Sequence, residues 1–264
     1  MRNPSPLSRL LGSAAMAILA AGLAGCQTAR SPEVTGSLNA RAEAAPGQAS
    51  ADTIQALGDR YRANPRDTAA ALQYGQALRQ NGQRQQAVAV MEQATIANPG
   101  NKALLAAYGR ALADNGNFKQ AFDILSRAHS PANPDWRILS VQGTTLDQMG
   151  KHDEARRYYM SALKIAPEEP SVLSNLGLSY VLSKDLPKAE SVLRRAYNRG
   201  TADSRVRQNL GLVVGLQGRF AEAESIVKAD LPAEEAEANV AYLRQMLSRD
   251  GRSQKTAAVD PDRS

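Results

Sequence analysis

Apolar and small side chains return along this chain at helical spacing, in blocks that recur every 34 residues between residues 68 and 231. Gly75, Gly109, Gly143, Gly177 and Gly211 keep that step, as do Ala87, Ala121, Ala155, Ala189 and Ala223. Three residues after each glycine stands Leu78, Leu112, Leu146, Tyr180 or Val214. Four after each alanine stands Met91, Leu125, Tyr159, Leu193 or Val227. Seven after it come Ala94, Ala128, Ala162 and Ala196, and Asp230 breaks that series. Gly82, Gly116, Gly150 and Gly218 mark a turn inside four of the blocks, while Pro99 and Pro167 close two. A period of this length is one helical hairpin copied along the chain, with predicted helices at 70–80 and 85–97 in the first copy. No stretch alternates with period two over a useful distance, so no sheet is expected. A mid-helix glycine costs about 1 kcal/mol relative to alanine. Five in phase therefore predict a neighbouring helix close to the backbone at each one, with the alanine series as the small partner surface. Gln142 and Arg207 interrupt apolar columns and predict poorer packing in repeats three and five.

The pattern L-G-x2-Y, then A-x3-F, then A and P resembles the tetratricopeptide repeat (TPR). The resemblance implies an all-α, TPR-type helical-hairpin solenoid, with about five repeats over residues 68–231 and a cap helix at each end. The N-terminal cap is expected at 52–67, with Ile54, Leu57 and Tyr61 on one side, and Pro65 lies 34 residues before Pro99. At the other end Leu231-Pro232 stops repeat five, and Glu234 and Glu235 suit the first turn of a cap helix at 232–249. Ala236, Val240, Leu243 and Leu247 make its apolar stripe, and the polar tail 250–264 is expected to be disordered.

Charge changes this picture little. The net charge of +6 is spread over 32 basic and 26 acidic residues, a mixed solvated surface. No basic cluster interleaved with aromatics points to nucleic acid.

The amino terminus reads as an export signal. Arg2 and Arg9 precede an apolar run over 10–25 that ends in Leu23-Ala24-Gly25-Cys26. That run is short of the roughly 20 residues a membrane-spanning helix needs, and the small residues before Cys26 suit a cleavage site. The tetrapeptide resembles the bacterial lipoprotein box, which implies a signal peptide at 1–25 and an acylated Cys26 opening the mature chain. It also accounts for a single cysteine in an exported protein. Gln27 in place of Asp implies, by the same resemblance, the outer membrane. Residues 26–51 are rich in small and polar side chains and read as a flexible tether of about 25–30 Å.

Catalytic chemistry is not expected. His129 and His152 sit in an inter-repeat loop and an intra-repeat turn, and no Cys/His pair or zinc set assembles around them. The stretch 143–151 fails as a phosphate loop: six residues separate its glycines, and His152 stands where Ser or Thr is required. The chain is read as non-enzymatic, with no cofactor and no metal.

A binding surface remains. In such arrays the first helix of each hairpin lines the concave side, through positions three and two before the repeat glycine and one, four and five after it. In repeats one to three these hold mainly polar or small residues, among them Gln76, Arg79, Arg110, Asp114, Ser140 and Asp147. Repeats four and five offer an apolar strip of Leu178, Val181, Leu182, Leu212 and Leu216. Asn175, Asn209 and Arg205 rim it and suit an extended backbone or a terminal carboxylate, and Gln208 also faces it, so this strip is the expected peptide-binding groove. Packing of Leu212 and Leu216 on the C-terminal cap is the competing reading.

Several stretches resemble the TadD family, the TPR lipoproteins of the tight adherence (Flp) pilus machinery: 104–112 (LLAAYGRAL), 135–142 (DWRILSVQ), 158–167 (YYMSALKIAP), 170–189 (PSVLSNLGLSYVLSKDLPKA), 205–222 (RVRQNLGLVVGLQGRFAE) and 239–247 (NVAYLRQML). The resemblance implies an outer-membrane assembly factor, pilotin-like, whose partner is the secretin or another pilus component. Two alternatives stay open: a TPR lipoprotein of another envelope process (β-barrel assembly or polysaccharide export), and an enzyme or ligand carrier with an unrecognised site.

Overall fold

The computed structural model describes residues 49–198 and 204–259, with side chains to Arg249. The expected signal peptide, Cys26 and nearly all of the tether lie outside the described residues. Among those described, every regular element is a helix; the one pairing of extended type is an isolated bridge between Ser130 and Asn133. A lone helix α1 (Ala51–Ala63) precedes five hairpins. These are α2 (Thr68–Gln80) with α3 (Arg84–Ala97), α4 (Lys102–Asp114) with α5 (Phe118–Ala128), and α6 (Trp136–Gln148) with α7 (His152–Ile165). They continue as α8 (Pro170–Leu182) with α9 (Leu186–Tyr197), and α10 (Ser204–Leu216) with α11 (Phe220–Val227). The expected all-α hairpin array is therefore the observed fold.

Local chemistry explains where these helices start and stop. Asp67, Asn101, Asp135 and Glu169 also stand 34 apart, and each caps a first helix through its side chain. Asp67 Oδ1, for example, accepts from the Ala69 and Ala70 amides at 2.9 and 3.1 Å. At the far end the carbonyls of Leu78, Leu112, Leu146, Tyr180 and Val214 accept from an amide five residues on, at 2.9–3.2 Å. This closure needs a left-handed residue. Gly82, Gly116, Gly150 and Gly218 supply it with φ of 74–85°, but repeat four places Lys184 there at φ 63°. A side chain in that conformation costs about 1–2 kcal/mol. Lys184→Gly should therefore raise stability by about 1 kcal/mol in urea unfolding, and a loss would show that Lys184 makes compensating contacts.

The repeat glycines do admit a close neighbour, but it is not the alanine. A Cβ on Gly75, Gly109, Gly143, Gly177 or Gly211 would fall 2.5–2.6 Å from Met91, Leu125, Tyr159, Leu193 or Val227 respectively. The large side chain one turn past each alanine lies across the glycine, because helical side chains lean back toward the N-terminus. The alanine backbone follows behind, with the Ala121 and Ala223 carbonyls 3.4 Å from the same positions.

The two interruptions are also compensated. Gln142 is buried, with its amide donating to Ser126 Oγ at 3.0 Å and its Oε1 3.1 Å from His129 Nε2. Arg207 pairs at two points with Asp230, Nε to Oδ2 at 2.6 Å. Elsewhere these two columns meet as Leu105 with Ala128 and Leu173 with Ala196. Repeat five thus replaces an apolar contact by an ion pair, and the residue that breaks the alanine series is the partner of the arginine that breaks the leucine one.

The described residues up to Glu237 belong to one compact unit, and those from Ala238 to Val259 to a second. The last helix, α12 (Ala233–Val259), carries Val240 and Leu243 as buried residues. It continues past Arg249, where the sequence suggested a disordered tail. Apart from Gly251 the residues up to 259 tolerate a helix, and the next proline is Pro261.

Candidate binding surface

Each first helix packs on its own second helix, on the second helix before it and on the neighbouring first helices. No pair of consecutive second helices among the described residues packs comparably. The first helices therefore form the shorter arc of the array, the side on which a bound chain crosses several repeats at once.

Hydrogen bonds stitch this layer together across repeats. Asn175 Nδ2 donates to Ser140 Oγ at 3.1 Å, and Asn209 Nδ2 to Ser174 Oγ at 2.7 Å. Arg79 Nε meets Asp114 Oδ2 at 2.6 Å, again from one first helix to the next. The two asparagines expected to hold a ligand backbone thus each spend one amide hydrogen on the preceding repeat. Leu178, Leu182 and Leu212 are half-buried, and Arg205 and Gln208 are exposed. Val181 is a correction to the expected groove: at 6% exposure it belongs to the packed interior. The equivalent Asp147 explains why. Its Oδ1 accepts from Ser179 Oγ on the next first helix at 2.8 Å, so this position points into the seam between consecutive first helices.

Asp147 is the centre of a buried polar cluster that the spacing of residues alone did not reveal. Its carboxylate also accepts from the Tyr159 hydroxyl at 2.9 Å, and His152 Nδ1 lies 2.9 Å from Oδ1. Burial first, and the Asp147 charge second, push the Tyr159 hydroxyl well above its ordinary pKa, so the phenol stays protonated and donates. The cluster is satisfied from within and ties repeat three to repeat four. Among the described residues no group of three or more His, Cys, Asp or Glu is placed to hold a metal ion. An open cleft of about 520 Å³, lined by Asn117, Phe118, Lys119, Gln120, Asp123 and Met149, lies at the turn of repeat two.

Comparison with known proteins agrees with this geometry. Two tetratricopeptide-repeat family models match, over residues 78–142 and 141–205. Over residues 78–205 the repeats match tetratricopeptide repeats, a class of scaffold that binds other proteins. Among solved structures it is similar to PilW, described as a widely conserved type IV pilus biogenesis factor. The likeness has TM-score 0.63 at 15% identity and covers 90% of this chain and 99% of that one. It is also similar to the anaphase-promoting-complex hetero-tetramer Cut9–Hcn1, with TM-score 0.61 at 16% identity over 72% of this chain and 38% of that one. At these identities the likeness is one of fold. No curated protein matches the chain by sequence.

Proposed function

We propose that this chain is a lipid-anchored, non-catalytic assembly factor of a Tad/Flp-type pilus secretion apparatus, facing the periplasm from the outer membrane. The observation that carries the binding role is the half-buried Leu178, Leu182 and Leu212 beside exposed Arg205 and Gln208 on the first helices of repeats four and five. Apolar side chains left within reach of solvent, with hydrogen-bonding groups beside them, suit an extended segment of a partner protein. The stretches that resemble TadD lipoproteins, and a fold like that of a type IV pilus biogenesis factor, support the pilus over other envelope machines. Acylation of Cys26 would confine the array to one membrane face and raise its effective concentration for a membrane-bound secretin.

Crosslinking in cells from a photoreactive residue at position 178 tests this reading. The expected adduct contains the secretin or another pilus component and is lost when Leu182→Asp is added, while helicity by circular dichroism is unchanged. An adduct with β-barrel assembly or polysaccharide export proteins would move the chain to that machinery, and no adduct would reject the groove. Cys26→Ser should shift the protein from the membrane to the soluble periplasmic fraction; retention in membranes would reject the anchor.

A further inference from the structure

The first helices of repeats one to three carry three arginines in a row: Arg79 on α2, Arg110 on α4 and Arg137 on α6. Each is held differently. Arg79 is engaged with Asp114 at 2.6 Å. The Arg137 guanidinium lies 4.4 Å from the centre of the Trp136 ring, and Trp136 is itself half-buried in the repeat-three core. Asp135, the nearest carboxylate in sequence, is occupied as the cap of α6, accepting from the Arg137 amide at 2.8 Å. Arg110, half-buried between them, makes no hydrogen bond or ion pair among the described residues.

This arrangement is electrostatically incomplete. Burial comes first in lowering the Arg110 pKa, and repulsion from Arg79 and Arg137 adds to it, against attraction from Asp135 and Asp114. A recessed guanidinium without a carboxylate is costly, and an incoming anion relieves both the burial and the repulsion. We propose that this face of repeats one to three binds an acidic polypeptide segment, with one carboxylate on Arg110 and a second on Arg137. Neighbouring helices lie about 10 Å apart, and a chain in the polyproline II conformation rises about 3.1 Å per residue and brings every third side chain back to the same side. Acidic residues three apart therefore reach adjacent first helices. A lipid headgroup surface is flat and reaches a recessed side chain poorly, which favours a chain over a membrane. The site is separate from the apolar strip of repeats four and five and does not depend on the pilus reading.

Trp136, the single tryptophan of the chain, lies under Arg137 and supplies the readout. The full mature chain is titrated, following tryptophan emission, with a short extended peptide carrying two glutamates three apart. Controls are the same peptide with glutamines and vesicles rich in anionic lipid. The expected result is a saturable change with the glutamate peptide that weakens as salt rises. Arg110→Gln should weaken it about tenfold, Arg137→Gln should weaken it similarly by polarisation of a labelled peptide, and Arg110→Lys should restore part of the affinity. Unchanged melting of Arg110→Gln separates lost binding from lost folding. The inference is overturned by no saturable change, by binding that ignores both arginines, or by Arg110-dependent binding to vesicles and not to the peptide.

Discussion

Gly143→Ala should destabilise the array by about 2–4 kcal/mol, whereas Gly75→Ala, at the same place in the repeat, should stay within about 1 kcal/mol of the parent. Intrinsic helix propensity favours both changes by about 1 kcal/mol, so the difference must come from what lies across each glycine. At Gly75 the new methyl would meet the Cε of Met91 at 2.6 Å, the far end of a flexible side chain that can swing aside. At Gly143 it would meet the Tyr159 ring, with Cε1 at 2.5 Å and Cζ at 2.8 Å. That ring cannot turn away without breaking the hydroxyl's bond to Asp147, which also holds Ser179 and His152. Each buried hydrogen bond lost adds about 1 kcal/mol to the overpacking, and a carboxylate left short of donors adds more. Chemical unfolding of the two variants against the parent decides the matter. Equal losses at the two positions would mean that the glycines serve the backbone alone.

That contrast also marks how far the sequence carries. The step of 34 residues gave the hairpins, their number and their turns, because a copied unit must bury the same face each time. It gave columns, but not the direction in which a side chain leaves its column. Column spacing alone therefore pairs the glycines with the alanines, whereas the contact falls one turn further on, at Met91, Leu125, Tyr159, Leu193 and Val227. The same spacing puts Val181 in the groove, although its column turns into the seam between first helices. An interruption of one column is compensated from another, which spacing within a column does not show: Gln142 finds Ser126 and His129, and Arg207 finds Asp230, 23 residues away. The arginine row of repeats one to three was illegible for a different cause. Arg79 stands four after its glycine, Arg110 one after and Arg137 six before, so no column contains them all. Stacking the helices brings them within reach of one another.

Glu190→Gln should loosen repeat five from repeat four, and do so only where the carboxylate is charged. Glu190, at 14% side-chain exposure, accepts from Arg194 Nε at 2.8 Å on its own helix, and from Gln217 Nε2 at 2.8 Å and Arg219 Nη2 at 2.5 Å at the turn of repeat five. Glu222 completes the network, 2.5 Å from Arg194 and 3.0 Å from Arg219. The Arg219 hydrogen bonds first, then those of Gln217 and Arg194, outweigh burial and hold the Glu190 carboxyl at about 2 instead of the ordinary 4.5. A depressed acid pKa means that the folded chain resists protonation. Its contribution is complete above pH 4.5 and is lost as pH falls from there to about 2. A difference of that size corresponds to about 3 kcal/mol as a ceiling. Since the Arg219 side chain is 40% exposed, water screens the pair and about 1–2 kcal/mol is expected. The gap in stability between the parent and Glu190→Gln should accordingly be open at neutral pH, close through that acid window and shrink in high salt. Hydrogen exchange should show α10 and α11 opening more readily in the variant while α2 to α5 are unchanged, because in a linear array each repeat is stabilised by its neighbours alone. A gap that persists unchanged at pH 2 would assign the loss to the shape of the side chain and take the charge out of the argument.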